Sequence, residues 1–77
     1  MDYDLNTRFT YHKPFGNQPE RYEEIRKRAL EYADYLISTC PDSREFSLAI
    51  TKLEECVFWA NASIARHEEK FTPTIQE

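Results

Sequence analysis

The sequence predicts an all-α protein, an antiparallel two-helix hairpin preceded by an N-terminal arm, and three observations carry that expectation. Two long segments, Pro19 to Cys40 and Asp42 to about Lys70, repeat apolar residues every three or four positions. Neither holds a Gly, and neither holds a Pro beyond its first residue. Between them stands Pro41, which pushes the residue before it out of the α region, and the few residues available there allow only a tight reversal. The division expected is therefore an arm over 1–18, a hairpin over 19–70 and a tail over 71–77.

The arm, Met1 to Gln18, has no sustained period and contains Pro14 and the single glycine, Gly16. It is rich in rings (Tyr3, Phe9, Tyr11 and Phe15) that a solvated tail would not favour, so it is expected to dock. Asp2 to Arg8 suits one short helical turn. Pro19 then opens the first long helix, with Asn17 or Gln18 before it and Glu20, Glu23 and Glu24 near the positive end of the helix dipole. Its apolar stripe runs Tyr22, Ile25, Ala29, Tyr32 or Ala33, Leu36 and Cys40. Glu20, Glu24, Arg28 and Glu31 form a solvated face.

Asp42-Ser43-Arg44-Glu45 reads as a capping box for the second helix, with Asp42 as the N-cap and Glu45 reaching back. Phe46, Ala49, Ile50, Leu53, Val57, Ala60 and Ile64 then line one face. Phe58, the single Trp59, Ala62 and Ala65 fall partly outside that stripe, so the helix is apolar round more of its circumference than one partner covers. The small side chains from Ala60 to Ala65 let a further helix approach closely. Phe71 to Glu77, with Pro73, makes a short tail.

A chain of 77 residues buries a smaller share of its surface than a larger one and commonly needs a disulfide, a metal or self-association. Cys40 and Cys56 are too far apart for a C-x-x-C pair and, with only His12 and His67 beside them, do not form a zinc set. Both read as core thiols rather than nucleophiles. Met1-Asp2-Tyr3-Asp4 lacks the marks of a secretory leader, and no run of eighteen apolar residues occurs, so a soluble intracellular protein with free thiols is expected. A single disulfide between them stays open, and homo-oligomerisation is the favoured aid. A net charge of −4 argues against a phosphate-tracking grip on DNA or RNA, although a few well-placed Arg or Lys residues can still hold a small anion.

No catalytic constellation emerges. The two histidines lie near opposite ends, one glycine cannot build a phosphate loop, and no cofactor or metal is called for. The segment Arg8-Phe9-Thr10-Tyr11-His12-Lys13-Pro14 does suit a nucleotide, its ring stacking on a base and its cations meeting phosphate. The same rings also serve simply to pin the arm to the hairpin. Arg26, next to Ile25, lies at the stripe's edge and can follow a groove between helices while Lys27 and Arg28 face water. Asn61 and Arg66 also lie near a stripe, where each needs a partner, and Arg residues converging on a symmetry axis call for an anion.

Four blocks in order, Arg8-Phe9-Thr10-Tyr11-His12, Arg21-Tyr22-Glu23-Glu24-Ile25-Arg26, Cys40-Pro41-Asp42-Ser43-Arg44-Glu45 and Phe58-Trp59-Ala60-Asn61-Ala62-Ser63-Ile64-Ala65-Arg66, resemble the helical hairpin domain of phage anti-CBASS proteins. The likeness covers about residues 8 to 67. A related hairpin occurs in anti-Thoeris sponges. The resemblance implies a compact homo-hexamer in the cytoplasm of an infected bacterium, binding cyclic oligonucleotide messengers without cutting them and so blocking CBASS immunity. Cyclic dinucleotides such as cyclic GMP-AMP would lie between paired protomers, with Tyr11 stacking on a base and Arg26 meeting phosphates, and Arg8, His12 and Lys13 beside them. Cyclic trinucleotides would take a separate three-fold site, with Arg66 and Asn61 contributing. Arg26 stands where some relatives carry Lys, exchanging a flexible point donor for a planar fork. Neither DNA, RNA nor a membrane is an implied partner. The alternative reading is a small helical oligomer that binds a host protein through Trp59 and its neighbours.

Overall fold

In a computed structural model the described residues are 3–68, and they form three helices and no strand. These are α1 (Leu5–Phe9), α2 (Gln18–Thr39) and α3 (Arg44–His67). The two long helices, about 33 and 36 Å at 1.5 Å per residue, pack together as the hairpin. Glu69 and Lys70, expected at the end of the second helix, the tail 71–77 and residues 1–2 lie outside the described residues.

The reversal between the helices follows from local chemistry. Cys40, ahead of Pro41, is extended at φ −102° and ψ 143°, while its N–H still donates to the Leu36 carbonyl at 2.8 Å. Ser38 Oγ and Thr39 Oγ1 both donate back to the Tyr35 carbonyl, each at 2.8 Å, the local side-chain bonding by which Ser and Thr engage the preceding turn of a helix. The N-cap of α3 is Ser43 and not Asp42. Ser43 is extended, its Oγ accepts from the Phe46 N–H at 3.0 Å, and it donates to the Pro41 carbonyl at 3.3 Å. The capping-box expectation is thereby corrected by one residue: α3 begins at Arg44, Phe46 holds the third helical position, and Glu45 stands at the second.

The facing stripes are Tyr22, Ile25, Ala29, Ala33 and Leu36 on α2, with Cys40 just past its end, and Phe46, Ile50, Leu53, Val57, Ala60 and Ile64 on α3, all half-buried. Ala33, not Tyr32, occupies the stripe. Tyr32 turns outward and stacks on Tyr35, with ring centroids 6.1 Å apart. Cys56, expected within the stripe, is instead an exposed free thiol, because Leu53 and Val57 take the inward positions on either side of it. Cys40 is free and half-buried.

Among the described residues no apolar side chain is fully buried; Leu30, Ile37, Phe58 and Trp59 each keep more than half of their surface exposed. Among the described residues the one that is fully buried is polar, Gln18, at 1 % exposure. It joins the arm to the far end of the hairpin. Its Oε1 accepts from the Phe15 N–H at 3.1 Å, while its Nε2 donates to Glu68 Oε1 at 2.7 Å and to the Ile64 carbonyl at 3.4 Å.

Candidate functional site

Where the arm crosses the hairpin it closes one side of an open groove of about 510 Å³, within the usual range for small-molecule sites. The arm supplies Thr10, Tyr11 and His12, and α2 supplies Tyr22 and Arg26, one helical turn apart on the same face. From α3 come Val57, Phe58, Asn61, Ala62, Ala65 and Arg66, spaced to share one side of the helix. Ala62 and Ala65 are small, and they leave the room that larger side chains would fill.

The arm is fixed on both sides of Tyr11. From before it, the Thr7 carbonyl accepts from His12 Nε2 at 2.8 Å, bridging the residues on either side of Tyr11. After it, the Phe15 N–H is held by Gln18. The Tyr11 ring itself is 81 % exposed and so presents an open face for stacking.

Two guanidinium groups border the groove. Arg26 is tied only by an exposed 3.4 Å contact with Glu23, a pair too solvated to hold it strongly. Arg66 has no ion-pair partner among the described residues. Beneath them lie the Tyr22 hydroxyl and Asn61 Oδ1, both sheltered from solvent and without a hydrogen-bond partner among the described residues. An unpaired buried polar atom costs about 1–3 kcal/mol, so a rearrangement of the groove on binding that gave either atom a partner would recover that cost.

Of the residues singled out in the sequence, Tyr11, His12, Arg26, Asn61 and Arg66 border this one groove, although the two sets were expected at separate sites. Arg66 also borders a second concavity of about 360 Å³, shared with Arg8, Phe9, Trp59 and His67. Arg8 donates from NH1 to the Tyr3 carbonyl at 3.4 Å and does not border the larger groove. Lys13 borders neither. Tyr22 was legible only as a stripe residue, and its hydroxyl at the end of an apolar repeat was the available signal.

Behind the groove, Glu68 accepts from Arg21 at 2.5 Å as well as from Gln18, and Arg21 Nε donates to Asn17 Oδ1 at 3.0 Å. The Arg21 hydrogen bond, with that of Gln18 second, pulls the Glu68 carboxyl down to about 2 from its ordinary 4.5. Arg21 is raised in turn, chiefly by its hydrogen bond to Glu68.

Fold and groove together define a helical-hairpin binding module, with a ligand-sized recess assembled from the arm and both long helices. The family model described as Acb2/Tad1, hairpin domain, matches residues 1–65. The chain belongs to this family, that of the anti-CBASS and anti-Thoeris sponges, proteins that bind signalling molecules. No curated protein and no solved structure matches it. Among the described residues no helix is long and apolar enough to cross a membrane, and no cluster of His, Cys, Asp and Glu is suited to a metal ion.

Proposed function

We propose that this protein is a non-catalytic sponge for cyclic oligonucleotide messengers, taking cyclic dinucleotides such as cyclic GMP-AMP and also cyclic trinucleotides, and so blocking CBASS immunity in the host cytoplasm. The observation that carries the reading is the groove, which sets the exposed Tyr11 ring beside two guanidinium groups and two unpaired polar atoms. Those are complementary to the parts of a cyclic dinucleotide: flat bases to stack, phosphates to pair, and base edges to hydrogen-bond. Stacking on Tyr11 contributes on the order of 1–3 kcal/mol per base, and Arg26 supplies the charge-assisted bonds. Arg66, which borders both concavities, serves a trinucleotide from the second, and Asn61 contributes from the larger groove, the one it borders.

The proposed working form is a homo-hexamer. Support comes from the exposed Leu30, Ile37, Phe58 and Trp59 and from the lack of a fully buried apolar side chain among the described residues, since association would bury what one hairpin leaves in water. The test is calorimetry with cyclic GMP-AMP, followed by heat denaturation and mass spectrometry of the released ligand. Sub-micromolar binding with the ligand recovered intact is the expected result. A cleaved ligand, or no heat of binding with any cyclic oligonucleotide, would sink the reading.

A further inference from the structure

We propose that Gln18 is the positioning residue of the groove, a buried clasp that holds the Tyr11 arm in place without touching the ligand. The inference deepens the sponge reading where affinity is concerned, but the clasp itself stands on geometry alone.

Gln18 uses every polar atom of its side chain. One oxygen accepts from the arm at Phe15, and one nitrogen donates twice, to the Ile64 carbonyl and to Glu68, which lie 46 and 50 positions away. An amide meets this demand because it combines an acceptor with two donors. Glutamate lacks the donors, leucine lacks all three atoms, and asparagine is one methylene too short. The chain is also turned to deliver it. Gly16 takes φ +58°, where a side chain would strain the backbone, Asn17 follows at φ −95°, and the Gln18 N–H donates to the Phe15 carbonyl at 3.0 Å.

The clasp sits where it can control both walls. On one side, Phe15 lies three residues beyond His12, the last arm residue of the groove. On the other, Ile64 and Glu68 flank Ala65 and Arg66, the last α3 residues of the groove. Gln18, Phe15, Ile64, Arg21 and Glu68 themselves do not line it. With His12 held at Thr7, the segment carrying Thr10 and Tyr11 is fastened at two points, and Gln18 is the only one of them that ties the arm to α3. Releasing it lets the arm leave the groove while the helix–helix packing stays.

The test uses the full chain in two variants, Gln18→Leu, which keeps the burial, and Glu68→Gln, which removes the charged acceptor. Hydrogen exchange without ligand reads the clasp directly. The Phe15 amide, the arm N–H that Gln18 holds, should exchange about tenfold faster in both variants, the loss of one to two hydrogen bonds, with amides of residues 50–60 unmoved. Arm exchange unchanged in either variant overturns the proposal. So does an equal loss of protection along α3 in both, which would make Gln18 a general stability residue. With cyclic GMP-AMP as the probe, affinity should fall by a similar factor in both variants. A wild-type chain that binds no cyclic GMP-AMP removes the sponge reading for this ligand, and the exchange data then still decide the clasp.

Discussion

Gln18 Nε2 and Glu68 Oε1 meet at 2.7 Å across 50 positions of sequence, so that the first residue of α2 and the residue after the end of α3 are joined through a buried amide. The same carboxylate takes the Arg21 guanidinium. Two donors on one oxygen favour the ionised form, which is why Glu68 is pulled down to about 2.

That shift predicts an acid-sensitive clasp. Because the folded carboxyl binds its proton less readily than the unfolded one, the stabilisation is fully present above pH 4.5 and fades as pH falls towards about 2. Thermal melts from pH 6 to pH 2 should show the wild type losing more melting temperature over that window than Glu68→Gln. Parallel curves would remove Glu68 from the linkage.

Tyr11→Ala should weaken cyclic GMP-AMP binding by about 10- to 100-fold, the equivalent of 1–3 kcal/mol of stacking, with the far-ultraviolet circular dichroism unchanged. The ring is exposed, so its removal costs little packing. Tyr11→Phe should bind nearly as the wild type does in the same titration. Unchanged affinity in the alanine variant would take Tyr11 out of the site.

Arg26→Ala and Arg66→Ala should part company. The first is expected to weaken cyclic dinucleotides, and the second to impair cyclic trinucleotides more than dinucleotides, because Arg66 borders the concavity shared with Arg8 and Trp59 as well as the larger groove. Calorimetry with one ligand of each size measures both. If Arg66→Ala lost both ligands equally, a single groove would have to serve them.

Replacement of the α3 cap by Ser43→Ala should cost about 1 kcal/mol, the usual loss for a side chain that satisfies an orphaned N–H. Asp42→Ala, one residue earlier, should cost clearly less. Urea unfolding midpoints of the two variants give the comparison, and a larger loss at Asp42 would restore it as the cap.

Self-association should depend on the outward rings of α3. Sedimentation velocity of the wild type at micromolar concentration is expected to show the hexamer, and Trp59→Asp to shift it towards smaller species. A well-folded wild-type monomer at that concentration would exclude the assembly.

The helices were legible because their causes are local. Apolar spacing of three or four positions marks a helical face, and Pro41 stops one helix wherever the rest of the chain lies. The half-buried stripes follow from the same signal, whereas the arm has no such period and its one helix, expected over Asp2 to Arg8, is Leu5–Phe9. Residue chemistry alone marked the arm segment with Tyr11 as suited to a nucleotide and Arg26, Asn61 and Arg66 as stripe-edge groups in need of a partner, while the family resemblance supplied their ligand roles. Its limit shows at Asp42 and Ser43, since both can cap and only the path of the backbone after Pro41 chooses between them. It shows again at Cys56, a small apolar residue that α3 turns outward.

By itself, then, the sequence determined two helices, their reversal and an aromatic, cationic arm, all features set within a few residues of themselves. Only the tertiary structure decided that Tyr11, Arg26, Asn61 and Arg66 border one groove, and that a glutamine is the most buried residue described. The reason is range. A period of 3.6 says which face a residue takes, but where an irregular arm comes to rest depends on bonds such as Gln18 to Ile64 and Glu68, whose partners lie 46 and 50 positions away and leave no periodic trace.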